Sequence, residues 1–186
     1  MTYRILLVLL LPFFIISCEE EHDLPEPGED VPIHDRLIAV VHPTEGNDAT
    51  GVVSFTREGD DIRVIATISG LEPQSMHGFH IHQYGDCSDA DGLSAGGHFD
   101  PFGMPHGAPT NTERHMGDLG NLVSDEDGVA TLNFIDEVLE LDGAFTILGR
   151  GVVVHADEDD LETQPTGDAG PRIGCGVIGV AQPLED

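Results

Sequence analysis

The chain has 186 residues, enough for one ordinary domain with a real core plus terminal extensions. Thirty-five aspartates and glutamates face seven basic residues, a formal net charge of −28. That balance excludes nucleic acid as a partner, because phosphate contacts need a positive surface. All seven basic residues are arginine, which suits a surface kept hydrated by carboxylates at high salt.

In chain order, Arg4 and the apolar run from Ile5 to Ile16 come first. They read as a secretory signal, too short to predict a membrane span. The run closes on Ile15-Ile16-Ser17-Cys18, which resembles a bacterial lipobox. Residues 1–17 are therefore expected to be cleaved, leaving Cys18 to carry lipid. Residues 18–35, with Glu19-Glu20-Glu21 and Pro25-Glu26-Pro27, are acidic and proline-rich and read as a flexible tether between membrane and domain. The domain proper is placed at 36–186, exported and lipid-anchored in the periplasm or on the cell surface. With Cys18 assigned to lipid, an oxidising compartment predicts one disulfide between Cys87 and Cys175.

From Arg36 onward the pattern predicts short strands at 37–41, 51–56, 62–68, 78–83, 119–124, 129–135, 151–155 and 174–181. Turn signals such as Glu58-Gly59-Asp60-Asp61 and Asp125-Glu126-Asp127-Gly128 separate them. No persuasive helical periodicity interrupts the series, so an antiparallel all-β sandwich or barrel is expected. Segments 84–114 and 156–172 are long, glycine-rich and acidic, and loops of that length are usually functional.

The histidines gather in and around those loops. His80 and His82, two apart on one predicted strand, project from the same face and make half of a metal site. His98, His106, His115, Asp118 and His155 follow. His77 is expected to be structural and His42 to lie on the surface.

The run Gly78-Phe79-His80-Ile81-His82, then Gly85-Asp86-Cys87, then Ala95-Gly96-Gly97-His98-Phe99-Asp100-Pro101 resembles the copper/zinc superoxide dismutase family. So do His106-Gly107, Arg114-His115-Met116-Gly117-Asp118-Leu119-Gly120-Asn121, Val153-Val154-His155-Ala156, and Gly170-Pro171-Arg172-Ile173-Gly174-Cys175-Gly176-Val177-Ile178-Gly179. The match spans about 36 to 182 and implies an eight-stranded Greek-key β-sandwich or barrel of immunoglobulin-like type. It implies copper on His80, His82, His98 and His155, and zinc on His98, His106, His115 and Asp118, with His98 bridging both. Asp159, whose neighbour Asp160 is the rival, matches the carboxylate that links a copper ligand to a zinc ligand. Arg172 matches the arginine that guides the anionic substrate, and Cys87–Cys175 matches the intrachain disulfide. The implied reaction is conversion of superoxide to oxygen and hydrogen peroxide by alternate reduction and reoxidation of copper. His98 and Arg172 are the catalytic side chains, and zinc is structural. The alternative is a copper- and zinc-binding lipoprotein that stores or delivers metal without turnover.

Two features stand apart from the resemblance. Many family members carry lysines near the second loop, whereas segment 157–168 here holds six acidic residues. A homodimer stays open, since Ile173, Val177 and Ile178 could pack inside the domain or face a partner.

Overall fold

The computed structural model describes residues 33–183; the signal-peptide and Cys18 expectations lie outside them. Each predicted strand is present: β1 (Arg36–Pro43), β2 (Thr50–Glu58), β3 (Asp61–Ser69), β4 (Met76–His82), β5 (Asp118–Val123), β6 (Ala130–Asp136), β7 (Gly151–His155) and β8 (Arg172–Val180). Among the described residues the only helical element is a 3-10 turn at Leu93–Ala95. The β2–β3 hairpin pairs Glu58 with Asp61 around Gly59, whose φ of 68° a side chain would resist.

All strand pairings are antiparallel, in the order β5-β4-β7-β8-β1-β2-β3-β6. The sheet curls until its edges, β5 and β6, approach each other. They meet in an isolated bridge between Ser124 and Ala130, beyond which no ladder joins them. The all-β sandwich or barrel expected from the sequence is therefore what forms.

Alternation supplies the core. Leu37, Ala39 and Val41 on β1, Ile62, Val64, Ala66 and Ile68 on β3, and Phe55, Phe79, Ile81, Leu122 and Ile178 elsewhere are essentially inaccessible. Each large side chain so buried contributes about 1.5–3 kcal/mol. The strands β4 and β7 break the alternation: every residue from His77 to His82 and from Gly151 to His155 is buried. One face of these strands meets the core, and the loops cover the other.

The three longest loops between strands are 83–117, 137–150 and 156–171. The first and third were expected; 137–150 carries no strong glycine or histidine signature and was not distinguished. A buried ion pair ties the first loop to the far edge of the sheet. Arg114 donates to Asp136 at 2.6 Å and to the carbonyls of His115, Met116 and Asp118. Asp136 in turn accepts the Val138 and Leu139 N–H groups. The disulfide between Cys87 and Cys175 forms as expected and fastens the same loop to β8.

Candidate metal centre

Strand pairing brings the candidate ligands together. His80 and His82 lie on one face of β4, beside β7, which ends in His155. His98 returns to the same strand through an isolated bridge with His82. The ladders are irregular where the ligands sit, between Gly78 and His80 and between Val154 and His155. Irregularities of this kind re-aim a side chain next to a site.

Four donor atoms converge around Asp118, the quartet expected to hold zinc. The Oδ1 of Asp118 lies 2.9 Å from His98 Nδ1, 3.0 Å from His106 Nδ1 and 3.2 Å from His115 Nδ1. His98 and His115 Nδ1 are 3.4 Å apart. A tetrahedral zinc with bonds of about 2.0–2.1 Å places its ligands about 3.3–3.4 Å from one another, so this quartet fits the ion. Burial works against an ionised Asp118, but the rings of His106, His115 and His98 hold it well below the carboxylate range. Burial likewise opposes a charged His106, yet Asp118 and Asp159 outweigh it and raise that ring to about 9.

The quartet expected to hold copper has fewer compensating charges. His80, His82, His98 and His155 form a second group whose donor atoms lie within 4.8 Å of one another, and the Nε2 atoms of His82 and His155 are 3.3 Å apart. His80 Nδ1 and His98 Nε2 are buried without a hydrogen-bond partner, an expense that a bound cation removes. Burial lowers His155 to about 3 and His98 to about 4, and holds His82 well below an ordinary histidine. These rings stay neutral, the form that binds metal. Four imidazole nitrogens suit copper in both its oxidation states.

The ring atoms left over are also occupied. His82 Nδ1 donates to the Gly96 carbonyl at 2.8 Å and His155 Nδ1 to the Gly170 carbonyl at 3.1 Å. These contacts leave Nε2 of both rings as the metal-binding nitrogen. Asp159, 1% exposed, accepts from His80 Nε2 at 2.7 Å and His106 Nε2 at 2.9 Å, joining the two quartets. Burial disfavours its charge, but both rings and the Leu161 amide lower its pKa. Asp160 is exposed and binds Thr163 instead.

A cleft of about 230 Å³ opens onto this centre, lined by His82, His155, Leu93, Thr166, Pro171 and Arg172. Arg172 belongs to β8, two residues before the predicted start of that strand, and pairs with His155. Its guanidinium donates to the Gly92 and Gly96 carbonyls. The Gly96 oxygen therefore accepts from both His82 and Arg172.

The copper/zinc superoxide dismutase family profile matches residues 49–178. The chain belongs to the copper/zinc superoxide dismutase family. Copper and zinc are accordingly its metals, and dismutation of superoxide is its activity. It is 47% identical over 138 residues to "Superoxide dismutase [Cu-Zn]" of Paramecium bursaria Chlorella virus 1, covering 71% of this chain and 73% of that protein. It is 42% identical over 153 residues to "Extracellular superoxide dismutase [Cu-Zn]" of Brugia pahangi, covering 77% and 75%. The crystal structure of the clock protein EA4 superposes with a TM-score of 0.74 at 39% identity, covering 82% of this chain and 98% of that one.

Some contributors were invisible in the sequence. Asn121 receives the Asp159 N–H and donates to its carbonyl, both at 2.8 Å. His77, expected only to be structural, is buried and its Nδ1 donates to the His155 carbonyl at 3.0 Å. No spacing rule marks such backbone contacts; they become visible only when distant segments meet. His42 is exposed, as expected.

Proposed function

We propose that His80, His82, His98 and His155 hold copper, that His98, His106, His115 and Asp118 hold zinc, and that Arg172 docks superoxide beside the copper side of the centre. The observation that carries this reading is the pair of buried donor quartets sharing His98, open to solvent through a cleft with an arginine on its wall. Copper bound there supplies the one-electron exchange that takes superoxide alternately to oxygen and hydrogen peroxide. The chain's own groups do the rest. Arg172, held by two carbonyls, presents a fixed positive charge to the anion without having to reorganise. His98 presents Nε2 to the copper side while Asp118 holds Nδ1, so Nε2 is the atom that takes up and releases a proton. Asp159 fixes His80 and His106 in the tautomers that leave their Nδ1 atoms free for metal.

The test is metal content and superoxide consumption of the chain beside its Arg172→Ala variant. One copper and one zinc per chain, with activity roughly ten- to a hundredfold lower in the variant, is expected on loss of one charged contact of about 1.5–3 kcal/mol. Full metal without turnover in either protein would favour the storage and delivery alternative.

The remaining readings are proposals on the same footing. Export with lipidation at Cys18 and a tether over 18–35 is supported by the signal-like start, by the disulfide and by the extracellular name of one relative. Globomycin-sensitive processing and a mass increment on Cys18 would test it. A homodimer is supported by a row of outward valines, Val177, Val40 and Val52, each nearly half exposed on neighbouring strands. Ile178 faces the core. Sedimentation of Val40→Asp beside the parent chain tests it.

A further inference from the structure

His106, assigned above to zinc, lies in loop 83–117 outside any strand. Among the described residues, no backbone–backbone hydrogen bond holds its N–H or its carbonyl. Both are taken instead by one side chain 58 residues away: Gln164 Oε1 accepts from the His106 N–H at 2.8 Å, and Gln164 Nε2 donates to the His106 carbonyl at 2.9 Å. The carboxamide stands where the peptide of a neighbouring strand would stand.

The ring of the same residue is held from the same loop. Asp159 accepts from His106 Nε2 at 2.9 Å, and Gly167 packs directly on that contact. A Cβ at Gly167 would come within 1.8 Å of Asp159 Oδ1 and 2.6 Å of His106 Nε2. Two fixed points on one residue, backbone and Nε2, determine where its Nδ1 aims, and that atom lies 3.0 Å from Asp118 Oδ1.

We infer that Gln164 is a positioning residue for the zinc site, fixing the backbone of His106 so that Nδ1 faces the other three donors. The inference rests on the assignment of His106 to zinc given above. It makes loop 156–171, which carries Asp159 and Gln164 and ends beside Arg172, a determinant of zinc retention as well as a wall of the substrate cleft.

Gln164→Met removes both hydrogen bonds at similar length, and Gln164→Glu keeps only the acceptor for the His106 N–H. Three readouts apply: amide exchange at His106 in the metal-free protein, zinc release to a chelator, and the visible absorption of cobalt placed in the zinc site. In Gln164→Met, exchange at His106 should accelerate about tenfold or more and the cobalt bands should shift. Zinc should leave roughly tenfold faster, the low end for an outer-shell partner because Gln164 itself is exposed. Gln164→Glu should retain protection at His106 and release zinc at an intermediate rate. Faster exchange with zinc release within twofold of the parent and unshifted cobalt bands would overturn the inference, leaving a clamp that only orders the loop. A parent chain that takes up no zinc would overturn the zinc assignment and this inference with it. That outcome is recognised by absent uptake, whereas failure of the clamp alone leaves uptake intact.

Discussion

Asp159→Asn is the sharpest perturbation of the centre, because it keeps shape and volume while changing what the side chain can accept. The carboxylate receives His80 Nε2 at 2.7 Å and His106 Nε2 at 2.9 Å, both fully buried. A carboxamide can accept from one ring, but its NH₂ then faces the N–H of the other. One charge-assisted bond is lost, at about 1.5–3 kcal/mol, and the survivor drops to about half its strength. The total of about 2–4 kcal/mol is shared between two sites, so each metal should bind roughly tenfold more weakly. Competition against chelators of known affinity, for copper and zinc separately, measures this. Retention of both affinities within a factor of two would refute the reasoning. Loss confined to zinc would refute its copper half.

Stability of the metal-free domain should peak near pH 6.5. Above that value His106, raised to about 9 in the fold, progressively loses the proton that Asp118 and Asp159 stabilise, so stability falls toward pH 9. Below it His80, His82, His98 and His155, all lowered in the fold, stay neutral while the unfolded chain protonates, so stability falls more steeply. Thermal melts between pH 4.5 and 9 check this, and a monotonic rise to pH 9 would contradict it. Replacing Cys87 and Cys175 by serine opens a loop of sequence separation 88, which the chain-entropy relation values at about 4–5 kcal/mol. A denaturant midpoint within error of the parent would exclude that contribution. Superoxide consumption should stay flat or rise with added salt, because an acidic surface repels the anion at low ionic strength. A steep fall in stopped-flow rate with salt would reveal an attractive field instead.

The strands were legible because β1 and β3 alternate so regularly, and their inward residues are the core. The two clusters of candidate ligands were legible as well, since His80 and His82 share a face and the others stand in distinctive glycine-rich surroundings. The expected start of β8 lies two residues after the observed one, because Gly170-Pro171 reads as a breaker although Arg172 already pairs with His155. Asp159 and Asp160 were indistinguishable by type; burial separates them, and burial follows from the Asn121 contact across 38 residues. Gln164 carried no signal at all, because its partners are backbone atoms of a loop 58 residues earlier.

The shared acceptor at Gly96 has a consequence for tolerance. His82 Nδ1 and the Arg172 guanidinium share one acceptor oxygen, so a shift of that peptide displaces both side-chain ends in the same direction. The spacing between the proposed copper ligand and the proposed docking cation is thereby buffered against such shifts. Rotation of that peptide would part them, and it sits at a glycine with φ of 76° whose Cβ position is already crowded by Tyr84 at 2.8 Å.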